Sequence, residues 1–120
     1  MSTETFDEFL EIPVELMSTE TFDEFLEIPV IVRSSASGVH VGRISKLVVG
    51  DTRVTVRMVG RRLWQCQCVK GVSLTDLAVY GIDLSQSRIS AEAEVLVTDV
   101  CEIITIADDL LDEIIGADIP

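Results

Sequence analysis

Residues 53–68 read RVTVRMVGRRLWQCQC, and this stretch decides the class of fold. In its first half Val54, Val56 and Met58 alternate with arginine and threonine, so one face of an extended strand would be apolar and the other basic. Alternation of this kind is typical of a strand that covers a core with one face and meets solvent with the other. The pattern therefore predicts an antiparallel sheet.

The second half of the stretch predicts another strand. Gly60 is expected to turn the chain into it, and alternation then places Trp64 on the same face as Cys66 and Cys68. Free cysteine behaves as a small buried hydrophobe, so we expect all three side chains in the core. A structural zinc site usually has four ligands and a wider cysteine spacing, so no metal is expected here.

Short elements flank these strands. A turn cluster from Ser34 to Gly38 separates two β-rich runs, and Pro29 is expected at the first position or the edge of the earlier run. Ser73 and Gly81 occupy the positions of an N-cap and a C-terminal stop for a short helix. The other predicted strands cover residues 28–33, 39–49, 95–97 and 103–106, and the predicted helices begin near residue 21 or cover 74–80 and 108–115.

These elements predict an α+β or mainly β fold. We expect a small antiparallel barrel or curled sheet of about five to six strands. Short helices are expected at the N-terminus, in the middle and at the C-terminus.

Size and composition bound the class of protein. The chain has 120 residues, of which 48% are apolar and 25% charged, with a net charge of −12. This length fits one domain, and the apolar fraction is too high for a disordered chain. No apolar run approaches the roughly 18 residues of a membrane span, no secretory signal is visible, and the odd number of cysteines fits no disulfide framework. We therefore expect a protein of the reducing cytoplasm with no membrane partner.

An exact repeat occupies the N-terminus. Residues 1–14, MSTETFDEFLEIPV, recur unchanged at residues 17–30. Structural repeats normally diverge, and stacked repeats need about three units to bury a core. We therefore expect residues 1–16 to be an extension or a cloning scar, and residues 17–120 to form a single compact domain. A tandem acidic helix that doubles a binding motif is the alternative.

Charge is segregated along the chain. Residues 1–32 and 91–120 each hold nine acids and no Lys or Arg, whereas residues 33–90 hold all nine Lys and Arg. We expect the acidic ends to fold onto the basic middle, within the molecule or on a neighbouring copy, or the middle to present a basic face to an anion. This complementarity is one reason to expect a homo-oligomer.

Four pieces of the chain occur in a recognisable order. They are VRSSASGVHVG at 32–42, GRRLW at 60–64, SLTDLAVYG at 73–81 and CEII at 101–104. In this order, over roughly residues 31–106, they resemble a family of small uncharacterised proteins encoded by phages and prophages. The chain departs from that family at Cys66, where an aromatic residue is usual. The resemblance implies an accessory protein of the host cytoplasm with no established reaction and, by analogy, a role against host defence.

The first turn could hold an anion. The hydroxyls of Ser34 and Ser37, the turn amides and the guanidinium of Arg33 are groups that bind phosphate, and Gly38 suits the turn itself. No Walker A or glycine-rich dinucleotide motif is present, so the alternative is a hairpin turn that needs glycine.

His40 is the one histidine of the chain. It lies on the opposite strand face from Val39 and Val41, so we expect it to face a partner, a second subunit or solvent. No Ser-His-Asp elbow motif accompanies it, which disfavours a catalytic role.

The basic set Arg53, Arg57, Arg61 and Arg62, together with Trp64, is the most suggestive group. Guanidinium groups on a sheet can hold phosphate by two-point contacts, and a tryptophan can stack on a base. The alternatives are salt bridges to the acidic ends for the arginines and a core position for the tryptophan.

Together with what the resemblance implies, these features predict a non-enzymatic phage accessory protein that forms a homo-oligomer and binds a host protein or a small anionic, nucleotide-like ligand. The alternatives are a virion structural or decoration protein and a single-stranded nucleic-acid-binding module, which the negative net charge disfavours. No catalytic residue, metal or cofactor is expected. The predicted ligand-binding residues are Arg33, Ser34, Ser37, Gly38, His40, Arg53, Arg57, Arg61, Arg62 and Trp64.

Overall fold

The computed structural model describes residues 23–118. It contains six strands, namely β1 Pro29–Ser34, β2 Gly38–Val49, β3 Val54–Gln65, β4 Arg88–Ile89, β5 Ala93–Val97 and β6 Val100–Thr105. Its helices are α1 Leu74–Tyr80, a 3-10 turn Leu84–Gln86 and α2 Asp108–Ile115. The predicted helix that begins near residue 21 starts outside the described residues. The first copy of the repeat also lies outside them. None of the helices within residues 23–118 is long and apolar enough to cross a membrane.

The strands form one antiparallel sheet in the order β4-β3-β2-β1-β6. β3 pairs with β2 on one edge, and on its other edge with β5 in its first half and β4 in its second half. The sheet is curled and does not close into a barrel. The predicted mostly antiparallel fold is therefore confirmed as a curled sheet with two short α-helices.

A separate apolar core lies on each face of the sheet. On the helix side, Ile31, Val41 and Leu63 pack against α1 and α2. On the open side, neither α-helix contributes, and Phe25 and Leu26 from the second copy of the repeat pack against the sheet. The remaining buried residues of the helix side are Cys68, Leu77, Ile82, Ile89, Leu110, Leu111 and Ile114. Those of the open side are Val30, Val32, Ile44, Val56, Met58 and Val97.

β3 runs straight through Gly60, so the turn expected there is wrong. Gly60 lies opposite Gly42 of β2. A Cβ at Gly60 would collide with the backbone carbonyl of Val41, and one at Gly42 with that of Val59. The two strands approach too closely here for side chains, and this contact, not a turn, requires glycine.

The core position expected for Trp64 is also wrong. Trp64 is 66% exposed, whereas its neighbour Leu63 is buried in the helix-side core. β3 ends at Gln65, so the alternation does not continue to the two cysteines that follow. Cys68 is buried in the helix-side core and the half-buried Cys66 packs against it, as the sequence predicts.

The acidic C-terminal end folds onto the basic middle within the molecule. Its ion pairs are Arg33–Glu102 at 2.9 Å, Arg43–Asp108 at 3.5 Å and Arg53–Asp99 at 3.5 Å. All three are exposed to solvent, so each one stabilises the fold only slightly. Their effect is to neutralise part of the basic middle segment.

Arg61 anchors α2 to the sheet. Its side chain is buried, and its Nη1 donates to the carbonyl oxygens of Ile114 at 2.9 Å, Ile115 at 3.1 Å and Ala117 at 2.6 Å. Its Nε donates to the carbonyl oxygen of Ser90 at 2.5 Å. A cation at the C-terminus of a helix also interacts favourably with the helix dipole. One side chain thus holds the end of α2 and the β4–β5 connection against β3.

Replacing Arg61 tests this anchor. Arg61→Met keeps the side-chain length but leaves four carbonyl oxygens without their donor. We expect the free energy of unfolding to fall by about 2–4 kcal/mol, since hydrogen bonds of a charged group contribute about 1.5–3 kcal/mol each and are not additive. Urea unfolding followed by circular dichroism measures the change. Arg57→Met is the control, because Arg57 is exposed on the same face of β3. An equal loss in both variants would contradict the anchor.

Candidate binding cleft

A small cleft lies on the open side, between β3 and the β4–β5 connection. Its volume is about 110 Å³. It is lined by His40, Gly60, Arg62, Trp64, Ser90, Ala91, Ala93 and Val95. It continues the face that carries the open-side core, at the end of the sheet where apolar residues give way to polar ones.

Strand alternation assembles the cleft. Gly60, Arg62 and Trp64 occupy alternate positions of β3 and therefore share the open side with Met58. The pairing of β2 with β3 places His40 directly opposite Arg62. Gly60 lines the cleft with backbone atoms, because its Cβ position is taken up by the close approach of β2.

Arg62 and Trp64 form the rim of the cleft. The guanidinium carbon of Arg62 lies 4.9 Å from the centroid of the Trp64 ring, which is a cation–π contact. The backbone N–H of Arg62 donates to Ser90 Oγ at 2.8 Å, and this bond holds the β4–β5 connection beside the strand. The rim therefore combines a cation with a largely exposed aromatic ring.

His40 forms the buried wall. It is only 3% exposed, so of the three expected surroundings, a partner, a second subunit or solvent, the solvent-facing one is wrong. Burial is the main cause that lowers the pKa of His40, and the charge of Arg62 lowers it further. A hydrogen bond with the backbone of Ser37 acts in the opposite direction, and His40 Nε2 also lies 3.0 Å from Ser37 Oγ. The imidazole is therefore neutral at pH 7.

Ser37 holds the ring of His40 in place. Ser37 Oγ lies 3.0 Å from His40 Nε2, and a hydrogen bond with the backbone of Ser37 also acts on the imidazole. The turn before β2 therefore fixes the orientation of the buried wall of the cleft.

The Ser37–His40 pair has the distance of a nucleophile and its base, but not the rest of a hydrolytic site. No carboxylate among residues 23–118 bonds the other ring nitrogen to orient the imidazole. The pair is also a local contact within one turn. Within the described residues the pair therefore lacks the third member of a Ser-His-Asp triad.

The predicted anion cradle at the first turn uses its donors internally. Ser34 Oγ accepts from the amides of Ala36 and Ser37 and donates to the carbonyl of Thr98 at 2.6 Å. Gly38 has a φ of 88° and allows the turn. Of the residues in this turn, only Ser37 reaches the cleft, through His40.

The predicted arginine set is divided between the two faces of the sheet. Arg62 lies at the cleft, whereas Arg57 and Arg61 lie on the opposite face of β3. Arg33 and Arg53 pair with carboxylates of the C-terminal end. The structure therefore brings together three of the predicted residues, His40, Arg62 and Trp64, with Ser37 behind them.

No sequence pattern predicted the β4–β5 side of the cleft. Ser90, Ala91, Ala93 and Val95 line it, and the preceding strand β4 has only two residues. A strand of that length has no detectable periodicity. The small size of the residues at positions 90, 91 and 93 was the one indication that this connection packs closely against β3.

The thiols of Cys66 and Cys68 are not activated. Within residues 23–118, no three His, Cys, Asp or Glu side chains are grouped as metal ligands. Burial raises the pKa of the Cys66 and Cys68 thiols. Both therefore remain protonated at neutral pH.

Burial of neutral His40 predicts a pH dependence of stability. The unfolded chain binds a proton near pH 6.5, whereas the folded chain binds it only at lower pH. The contribution of neutral His40 to the free energy of unfolding is therefore fully present above pH 6.5. It is lost as the pH is lowered toward the pKa of His40 in the folded chain. The loss is about 1.4 kcal/mol for every pH unit between the two pKa values.

Comparison of the native chain with His40→Gln measures this effect. Urea unfolding at pH 7.5 and 5.0 should show a smaller loss of stability in the variant. Hydrogen bonds lower the pKa values of Asp76 and Asp83, so these carboxyl groups change the stability only below pH 5.0. The same pH dependence in both proteins would show that His40 titrates normally.

Comparisons with curated proteins and with solved structures found no match. A family model described as a domain of unknown function, DUF6948, matches residues 27–114. The matched segment includes all six strands and every residue of the cleft. The chain therefore belongs to the DUF6948 family.

Proposed function

We propose that this chain is a non-enzymatic binding protein that holds a small anionic ligand with a planar ring, such as a nucleotide, at the cleft. The guanidinium of Arg62, in cation–π contact with the exposed Trp64 ring beside buried His40, is the observation that carries the proposal. Arg62 offers the fixed fork of donors that suits phosphate or carboxylate.

The size of the cleft limits what it encloses. Its volume of about 110 Å³ is well below the roughly 300 Å³ at which sites for whole drug-sized ligands begin. The cleft therefore holds one end of the ligand. The rest lies against Trp64, where stacking of a base on an aromatic ring contributes about 1–3 kcal/mol.

Local charge favours an anion despite the acidic chain. Arg62 is the cation at the cleft, since His40 is neutral at pH 7. One guanidinium supports a single anionic group, which fits a monophosphate better than an extended polyanion.

We also propose a wider biological role for this chain. The resemblance to phage and prophage proteins supports an accessory protein of the host cytoplasm that sequesters a ligand or a host factor used in defence. The segregation of charge supports assembly into a homo-oligomer through the N-terminal acidic segment.

Single-stranded nucleic acid is the second candidate ligand. The exposed Trp64 beneath Arg62 has the composition of a base-stacking platform. The net charge of −12 opposes a long polyanion. Binding to nucleic acid would weaken steeply with salt, because each neutralised phosphate releases counterions.

Trp64 is the one tryptophan of the chain, so its fluorescence reports directly on the cleft. We expect AMP to change this fluorescence at lower concentration than adenosine or inorganic phosphate, each of which makes only part of the contacts. Calorimetry should show at least tenfold weaker AMP binding to Arg62→Ala and to Trp64→Leu. Arg57→Ala is the matched control, since it removes the same charge from the opposite face of β3.

Three other results would count against the proposed site or its ligand. Equal loss in Arg57→Ala and Arg62→Ala would show a general charge effect and not a site. Binding of oligo-dT with a steep salt dependence, in preference to AMP, would establish the nucleic-acid alternative. A fluorescence response to none of these probes would contradict the proposed ligand class.

A further inference from the structure

A second concave surface lies on the helix side, between α1 and α2. Small residues, Ala78, Gly81 and Ala107, line it together with Leu110. Its volume is about 350 Å³, roughly three times that of the cleft. We call it the interhelix groove, and we propose that it docks a segment of a partner protein in which a large aliphatic residue lies next to lysine or arginine.

Exposed apolar side chains surround this groove. Val79 is 68% exposed and Tyr80 is 48% exposed, and both line it. Val69 and Val72, which precede α1, are 65% and 95% exposed. The backbone N–H of Val69 donates to the carbonyl oxygen of Gly81 at 3.0 Å, so Val69 lies beside the groove. Clustered exposed apolar residues beside a groove are typical of a protein interaction surface.

Negative charge determines the kind of partner. Asp109 and Glu113 line the groove from α2, and because they are four residues apart they lie on the same side of that helix. No Lys or Arg within residues 23–118 pairs with either carboxylate, whereas Asp108 of the same helix pairs with Arg43. An apolar floor with an unneutralised acidic edge is complementary to a cationic, aliphatic segment.

Lys70 shows how a cation can be accommodated next to this groove. Its Nζ lies 5.0 Å from the centroid of the Tyr80 ring, so the aromatic face already interacts with an ammonium group. This single charge offsets only part of the negative charge on Asp109 and Glu113.

The N-terminal segment of the chain lacks the chemistry that the groove favours, since residues 1–22 hold six acids and no Lys or Arg. A separate molecule with cationic residues is therefore the occupant that fits. Because the groove and the cleft lie on opposite sides of the sheet, a ligand and a partner can bind at once.

The test begins with 12-residue peptides selected from a random display library on the immobilised full chain. We expect the enriched peptides to carry Leu, Ile or Met next to Lys or Arg. A synthetic copy of the most enriched peptide should then bind Glu113→Lys at least tenfold more weakly than the native chain. Asp112→Lys, an equal charge change on an exposed position of α2 outside the groove, should change binding less than threefold.

Further variants keep the result interpretable. Glu113→Gln removes the charge without reversing it and should weaken binding to an intermediate degree, while Val79→Ser should weaken it without any change in charge. Circular dichroism verifies that each variant is folded. Equal effects of Glu113→Lys and Asp112→Lys, or enrichment of acidic peptides, would overturn the proposal. So would a dimer of the ligand-free chain in sedimentation that Glu113→Lys dissociates, since a second copy would then cover the groove.

Discussion

The buried guanidinium of Arg61 is the contact on which the arrangement of both faces depends. It joins the middle of β3 to the C-terminal end of α2 through three carbonyl oxygens, and to Ser90 through a fourth. A guanidinium out of water is costly unless its donors are used, and here the helix terminus supplies acceptors that would otherwise be unpaired. The position of α2 fixes one wall of the interhelix groove, and the position of Ser90 fixes one wall of the cleft.

Two adjacent arginines thus have opposite roles because a strand alternates. Arg61 points to the helix side, where it bonds to the end of α2. Arg62 points to the open side and contacts the Trp64 ring. The close approach of Gly42 and Gly60 just before this pair lets β2 and β3 stay together through the curl. Gly60 also lines the cleft beside His40. Packing and the proposed binding therefore depend on one short segment of β3.

Local patterns predicted the elements that are governed locally. The helix capped by Ser73 is present, with the Ser73 hydroxyl and the Asp76 carboxylate bonded reciprocally to the backbone, and Gly81 ends it with a φ of 100°. Pro29 begins β1. In contrast, the turn expected at Gly60, the core position of Trp64 and the solvent-facing position of His40 failed for a common reason. Each depends on what the neighbouring strand or the β4–β5 connection brings alongside, and no sequence window contains both partners.

The charge pattern was visible in the sequence, but its consequence was not. The basic middle could have presented one continuous arginine face to an anion. Instead, alternation divides it between two faces, and the C-terminal acids pair with Arg33, Arg43 and Arg53. The charges that stay unpaired are local. One side of the sheet carries a single guanidinium beside an exposed tryptophan. The other side carries two unneutralised carboxylates beside exposed valine and tyrosine. A net charge of −12 therefore describes the chain but neither surface, because charges already paired within the fold contribute little to what a ligand meets at contact distance.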